Sequence, residues 1–241
     1  MKLARPNVFH PRIVLASCPQ FIGSDGDGGG DDAGLVGALR RRGLHARWMP
    51  WDDLRTEKAD LVIVRAVTDF AERREEFLAW TTRVPNLLNP PEVVAWNSDM
   101  RYLLDLAAAG VPVQPSDAPV QDVETALIFL NGEQSHAVSK SDDGVLGPAD
   151  PDFELWDIGY GALDAACAQV GMHRTELLYA RIDLIGGADG PRLRELELIG
   201  PDLGWRQLDG VTRAQQQRRF ALGVESACER LGLGPLPHRG P

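Results

Sequence analysis

The chain has 241 residues, 44% of them hydrophobic, and a formal net charge of −10. This apolar content is too high for a disordered chain, and the length allows one large domain or two small ones. The acidic charge argues against nucleic acid as a partner, because neutralising phosphates requires a basic surface. The sequence has no run of about 18 apolar residues, so we expect no membrane span.

Cysteine usage and the N-terminus indicate a reducing compartment. Cys18, Cys167 and Cys228 lie far apart in apolar surroundings and lack metal-ligand spacing, which is typical of small buried hydrophobic residues. The N-terminal residues include charges and prolines where a secretory signal needs a continuous apolar core. We therefore expect a cytoplasmic protein.

Strands and helices alternate through the first 95 residues. Apolar runs predict strands at 12–18, near 45–51 and at 60–67. Helical spacing predicts helices over about 33–43 and 70–83. This alternation predicts a Rossmann-like α/β layer with a parallel sheet, which we take as a first domain over residues 1–95.

A glycine-rich segment, GSDGDGGGDD at 23–32, follows the first strand. It lacks the G-x-G-x-x-G register of a phosphate-binding loop, and its aspartates would repel phosphate. We interpret it as a flexible surface loop.

The second predicted domain, residues 96–241, has α+β character. A helix capped by Asn97 or Ser98 is predicted to run to Gly110, followed by an extended segment to Pro115. Residues 124–138 predict a hairpin with Asn131-Gly132 at its turn. The remaining predictions are an irregular loop over 139–157 and helices over 160–171 and about 212–232.

A second hairpin, LYARIDLIGGADGPRLRELELIG at 178–200, contains three carboxylates in apolar surroundings. Alternate residues of a strand face the same side, so Glu195 and Glu197 share a face. A turn centred near Asp189 brings Asp183 opposite Glu195. Such acids repel one another, and a hard divalent cation would relieve the conflict. The alternative is a half-exposed hairpin whose acids face water or pair with nearby arginines: Arg181, Arg192 and Arg194.

Several segments together resemble the ATP-grasp superfamily, in particular the group of glutathione-synthetase-like and cycloserine-forming ligases. The matching segments span most of the chain in the family's order: LVIVRAVTDF…RREEFLAW, LLNPPEVVAWNSDMRYLLDLAAAGVPVQP, ETALIFLNGEQSHAVSK and LLYARIDL…RELELIGP. The resemblance implies an ATP-grasp-like fold with a pre-ATP-grasp N-terminal layer. It also implies activation of a carboxylate by ATP and displacement of the acyl phosphate by an amine or another nucleophile.

The resemblance assigns roles to residues of the second hairpin. Asp183, Glu195 and Glu197 match the acids that bind Mg²⁺ or Mn²⁺, and Arg181 matches a cation that meets a phosphoryl group or a substrate carboxylate. His136 lies in a segment near the family's substrate pocket, so we count it with Arg181 as a candidate catalytic residue. His136 is also compatible with an ordinary edge-strand histidine.

The chain departs from the family where ATP would bind. Met100 replaces the lysine of the family's Asn-x-Asp-Lys motif, Gly200 replaces a glutamate, and no lysine occurs in residues 59–139. The small subdomain between the VPVxP and ETALIF segments, which holds half of the adenine cleft, is absent from the sequence. Two lost charge-assisted bonds lower affinity by roughly two to four powers of ten.

We therefore interpret the chain as a shortened, divergent ATP-grasp-like protein of small-metabolite biosynthesis, of amino-acid or peptide type. It would keep a metal and substrate site, bind a small molecule with a carboxylate or amine, and not bind ATP in the ordinary way. One alternative is a non-catalytic accessory or ligand-binding protein. Another is a ligase completed by a partner subunit, and a homodimer is also open.

Overall fold

The computed structural model describes residues 10–21, 29–115, 125–141, 144–186 and 190–234. Within these ranges the chain forms a four-stranded and a five-stranded sheet with helices packed on them. The predicted α/β class is confirmed. The predicted domain boundary falls within a helix, Pro91–Asn97, and stays a prediction.

The first sheet is parallel, with strand order β2-β1-β3-β4. Its strands are the predicted apolar runs and a short fourth strand: β1 Ile13–Ser17, β2 Ala46–Pro50, β3 Leu61–Ala66 and β4 Leu87–Leu88. Helix α1 (Leu35–Arg41) and helix α2 (Arg74–Thr81) belong to different apolar clusters, so both faces of the sheet are covered. Burial of both faces explains the continuous apolar runs.

The predicted helix from residue 98 to 110 is wrong at its N-terminus. Helix α4 begins only at Tyr102 and runs to Ala108, and a separate short helix, α3 (Pro91–Asn97), precedes it. Pro91 lies at the first position of α3, where its missing N–H costs nothing. Asn97 ends α3 and does not cap α4, because its side chain is buried against another strand.

The second sheet is antiparallel, with order β7-β6-β5-β8-β9. Its strands are β5 Thr125–Leu130, β6 Glu133–Lys140, β7 Leu146–Ala149, β8 Tyr179–Ile185 and β9 Arg192–Glu197. Asn131 (φ 58°) and Gly132 (φ 73°) form the predicted hairpin turn. The loop prediction over 139–157 is wrong, because β7 pairs with β6 and the next helix begins at Phe153.

Two long helices cover opposite faces of this sheet. Helix α5 (Phe153–Val170) packs with Leu127 and Phe129 in one cluster. Helix α6 (Gly210–Arg230) packs with Ile128 and with strands of the first sheet in another. The two sheets therefore share a core through α6. The three cysteines are buried and free, as predicted.

The glycine-rich segment is only partly described, since residues 22–28 lie outside the described ranges. Its end is not a surface loop, because Asp31 and Asp32 are 8% and 5% exposed. Asp32 forms an ion pair with the buried Arg65, at 2.8 Å. No described helix has the length and apolar character needed to cross a membrane.

Candidate functional site

The three acids of the second hairpin face one side of the five-stranded sheet. In the pairing of β8 with β9, Asp183 lies opposite Glu195 and Arg181 lies opposite Glu197. This is the register that the sequence predicts. The intervening Ile182 and Leu196 point to the other face, where both are buried.

The acids converge closely enough to share a cation. One carboxylate oxygen from each of Asp183, Glu195 and Glu197 lies within 4.8 Å of the other two. Two oxygens on opposite sides of one Mg²⁺ are about 4.2 Å apart, so closure needs a shift of less than about 1 Å. The all-oxygen donor set suits a hard divalent cation such as Mg²⁺ or Mn²⁺.

Arg181 contacts the acids directly. Its Nε donates to Asp183 Oδ1 at 2.8 Å and lies 3.3 Å from Glu197 Oε1. Its Nη1 donates to the backbone carbonyl of Asp202 at 3.0 Å. The guanidinium thus balances part of the charge of the three acids and ties them to the segment after β9.

Burial disfavours ionisation of the two glutamates. It raises the pKa of Glu197 to about 7, and repulsion from Asp183 acts in the same direction. Burial is also the main cause that raises the pKa of Glu195, and repulsion from Asp183 is the second. Arg181 alone therefore does not fully compensate the charge of these three acids.

Side chains from α3 and α4 hold the outer edge of β9. Asn97 donates through Nδ2 to the Leu196 carbonyl and accepts from the Leu198 N–H, both at 2.8 Å. The Leu196 N–H donates to Tyr102 Oη at 3.1 Å. Because these contacts bracket Glu197, they fix the direction in which its side chain leaves the strand.

An open cleft of about 330 Å³ lies between α2, the α3–α4 connection and β9. Glu195 and Glu197 form one wall, and Phe70, Met100 and Ile199 are among its apolar residues. Among its described lining residues the one cation is Arg74, which donates to Ser98 and lies 3.7 Å from Asp99. Met100 is 63% exposed.

The backbone closes the position where the resemblance implies a glutamate. Gly200 has φ +57°, and a Cβ atom there would lie 1.9 Å from the Arg65 carbonyl oxygen. A side chain at this position would therefore clash with β3. The backbone of this chain at residue 200 therefore accepts glycine and not the glutamate that the resemblance implies.

His136 lies on β6, and β5 separates that strand from β8. Its Nε2 lies 2.7 Å from the Leu203 carbonyl, and its Nδ1 lies 2.9 Å from Ser135 Oγ. Burial lowers its pKa to about 4, so the ring is neutral near pH 7 and Nε2 is the donor to Leu203. His136 thus contacts the segment after β9 rather than the acids.

Two residues of this region have no signal in a single sequence. Asn97 and Asp31 act on backbone groups that are about 100 and 170 residues away, respectively. A buried asparagine or aspartate can be recognised only when its partner is known. Asp99, beside Asn97 in the NSDM motif, instead pairs with Arg101 at 2.8 Å.

Comparison with known proteins confirms the resemblance to ATP-grasp ligases. Residues 13–89 match the family model for the N-terminal domain of D-cycloserine synthetase DcsG. The cycloserine biosynthesis protein DcsG of Streptomyces lavendulae is 28% identical over 271 positions, covering 76% of this chain and 90% of that protein. Because 76% of this chain is about 183 residues, about 88 of the 271 positions have no counterpart here.

Solved structures give the same fold. The crystal structure of D-cycloserine synthetase DcsG superposes with a TM-score of 0.72 at 25% identity, covering 91% of this chain and 99% of that one. The ATP-grasp ligase PsnB, in complex with a precursor peptide and AMPPNP, has a TM-score of 0.56 at 14% identity, with coverage of 88% and 98%. The chain therefore has an ATP-grasp-like fold and resembles ligases of small-molecule biosynthesis.

Proposed function

We propose that this chain is a divergent ATP-grasp-like enzyme that acts on a small amino-acid-like or carboxylate metabolite. It keeps the metal and substrate half of the site and does not bind ATP in the ordinary way. The observation that carries this proposal is the convergence of Asp183, Glu195 and Glu197 within 4.8 Å on one sheet face. Gathering one buried and two half-buried acids is costly without a counter-cation.

The roles of the residues follow from their contacts. Asp183, Glu195 and Glu197 would hold Mg²⁺ or Mn²⁺, which when bound polarises an oxygen of the substrate. Arg181, already anchored to Asp202 and Asp183, would orient the substrate carboxylate. His136 would hold the segment after β9 in place, because its neutral ring donates a hydrogen bond to the Leu203 carbonyl.

Three observations support loss of ordinary nucleotide binding. Met100 replaces the motif lysine, so the cleft that it lines with Glu195 and Glu197 lacks a cation at this position. The sequence has 11 residues between the bridge residue Val113 and Thr125 at the start of β5, which is too few to make up the family's small subdomain. The backbone at Gly200 excludes the family's glutamate. Arg101, a conceivable substitute cation, is 82% exposed and paired with Asp99.

A second candidate function is a non-catalytic scaffold whose acids are relics. The contacts of Arg181 with Asp183 and Glu197 favour it, because an arginine already supplies part of the counter-charge. A ligase completed by a partner subunit is the third candidate. It requires that a partner bring cations to the cleft beside Glu195 and Glu197.

Calorimetric titration of the full chain with Mn²⁺ at pH 7.5 tests the proposal. We expect saturable binding that Asp183→Asn weakens by at least tenfold, whereas Asp164→Asn, an exposed acid paired with Arg174, leaves it unchanged. Absence of binding, or equal binding by both variants, would favour the scaffold. Micromolar binding of AMPPNP by the isolated chain would contradict the proposed loss of nucleotide binding.

A further inference from the structure

The segment after β9, residues 200–206, contacts both the N-terminal layer and the acid site. We call it the β9 exit loop. Arg181 donates to its Asp202 carbonyl at 3.0 Å, and His136 Nε2 lies 2.7 Å from its Leu203 carbonyl. The loop therefore contacts both residues that the sequence marks as catalytic candidates.

Asp31 holds this loop from the opposite side. Its Oδ2 accepts from the Leu203 N–H at 2.7 Å, and its Oδ1 accepts from the Arg206 N–H at 3.0 Å. Leu203 thus has its N–H bound by Asp31 and its carbonyl bound by His136. Paired backbone donors on one carboxylate form charge-assisted bonds, which are stronger than bonds between neutral groups.

Asp31 is itself rigidly held. It is 8% exposed, and the adjacent Asp32 forms an ion pair with the buried Arg65. From α6, Arg213 donates to the carbonyls of Asp31 and Ala33, and Gln217 also donates to Ala33. An aspartate that is fixed by both β3 and α6 can impose its own position on the loop.

From this chain of contacts we infer that Asp31 is a positioning residue for the acid site, acting through the β9 exit loop on Arg181. The inference rests on the proposed function, because it requires that the acids bind a cation. Fixing the Asp202 carbonyl keeps one end of the guanidinium away from the acids. Without that anchor, Arg181 turns fully onto Asp183 and Glu197 and competes with a metal ion for their oxygens.

The test is a double-mutant cycle on Mn²⁺ affinity, measured by calorimetry on the full chain at pH 7.5. Asp31→Asn keeps the shape of the side chain but places an NH₂ group against one of two backbone donors. We expect it to weaken Mn²⁺ binding at least fivefold. In an Arg181→Gln background the same change has less than a twofold effect, because the residue through which Asp31 acts is gone.

Asp209→Asn is the matched control. Asp209 also accepts from two backbone N–H groups, those of Val211 and Thr212, but it caps α6 at the surface. We expect the Mn²⁺ affinity of the Asp209→Asn variant to lie within twofold of the wild-type affinity. Thermal unfolding of all variants separates an effect on the site from a general loss of structure.

If Asp31→Asn does not fold, Asp202→Ala replaces it in the cycle. Asp202 is more exposed, and its carboxylate binds the Gly204 N–H and Arg206 within the same loop. The inference would be overturned if the first variant that folds binds Mn²⁺ with unchanged affinity. It would also be overturned if the same substitution lowers Mn²⁺ affinity equally with Arg181 present and in the Arg181→Gln background. Absence of Mn²⁺ binding by the wild type would overturn the proposed function and this inference with it, whereas wild-type binding without coupling overturns the inference alone.

Discussion

At the scale of single residues, the chemistry of the site comes from a conflict between charge and burial. The face shared by Asp183, Glu195 and Glu197 is dictated by strand alternation, and the sequence predicts it correctly. The position of Arg181 is not predictable in the same way. Whether its guanidinium meets a ligand or a neighbouring acid depends on the Asp202 carbonyl, which the chain brings near only after folding.

Glu197 should make the metal-free protein less stable as pH rises. Its folded pKa is raised from 4.5 to about 7, so between these values the folded state holds a proton that the unfolded state releases. Since its side chain is 32% exposed, we expect the free energy of unfolding to fall by about 1–2 kcal/mol from pH 5 to 8 for this reason. Glu197→Gln removes this part of the fall.

Urea unfolding in the presence of a chelator at pH 5, 6, 7 and 8 measures the free energy of unfolding of the wild type and of Glu197→Gln. Glu75→Gln, which changes an exposed glutamate on α2, is the control and should follow the wild-type curve. Parallel curves for wild type and Glu197→Gln would show that Glu197 is ionised at an ordinary pH.

At the scale of elements, the outer edge of β9 is covered by a short backbone bridge and by side chains. The bridge of Val113 to Leu193 covers one part of the edge, and Asn97 and Tyr102 cover the part beside Glu197. An uncovered edge would present unpaired backbone groups. The site strand therefore depends on α3 and α4 for its geometry.

Asn97→Ala should destabilise the protein by about 2–4 kcal/mol, because it leaves two buried backbone groups of β9 without partners. Asn86→Ala is the comparison, since Asn86 donates one bond to the Asp60 carbonyl and is only partly buried; we expect about 1 kcal/mol. Urea unfolding measures both. Faster amide exchange at Leu198 in Asn97→Ala would show that the destabilisation arises at β9. An equal loss of unfolding free energy in the two variants would contradict the role of Asn97 at this edge.

The accuracy of the predicted elements follows from how local their signals are. The hairpin at Asn131-Gly132 and the strands β1 and β3 carry their whole signal in a few adjacent residues, and they are where the sequence places them. Strand β7 (Leu146–Ala149) contains a glycine and a proline and forms only because β6 offers an edge. We predict no helix over Pro91–Asn97 from the sequence, because two adjacent prolines also occur where a helix is interrupted and only the fold shows that they start α3.

At the scale of the whole molecule, the two sheets are joined by a buried charged contact. Arg65, 1% exposed at the end of β3, pairs with Asp32 and lies over the rings of Tyr179 and Trp205. Tyr179 on β8 donates through Oη to the Val64 carbonyl on β3. No local sequence pattern predicts this contact, because its residues come from four distant parts of the chain.

Arg65→Ala should cost about 3–5 kcal/mol of stability, because it leaves Asp32 buried without its partner. Arg12→Ala removes a similar guanidinium from Asp60 at the surface, where Arg12 is 65% exposed. We expect that change to cost much less than Arg65→Ala, because solvent screens an exposed ion pair. Chemical unfolding of the two variants checks the contrast, and comparable losses would mean that the buried pair does not join the sheets energetically.

A crystal structure of the full chain grown with Mn²⁺ and AMPPNP, with anomalous data collected for manganese, would show whether the three acids bind a cation and whether the cleft binds a nucleotide. We expect an anomalous peak bound by Asp183, Glu195 and Glu197, and no ordered nucleotide in the cleft beside Met100. An ordered adenine and triphosphate in a single chain would contradict this expectation. So would the absence of metal at the three acids while Arg181 stays paired with Asp183 and Glu197.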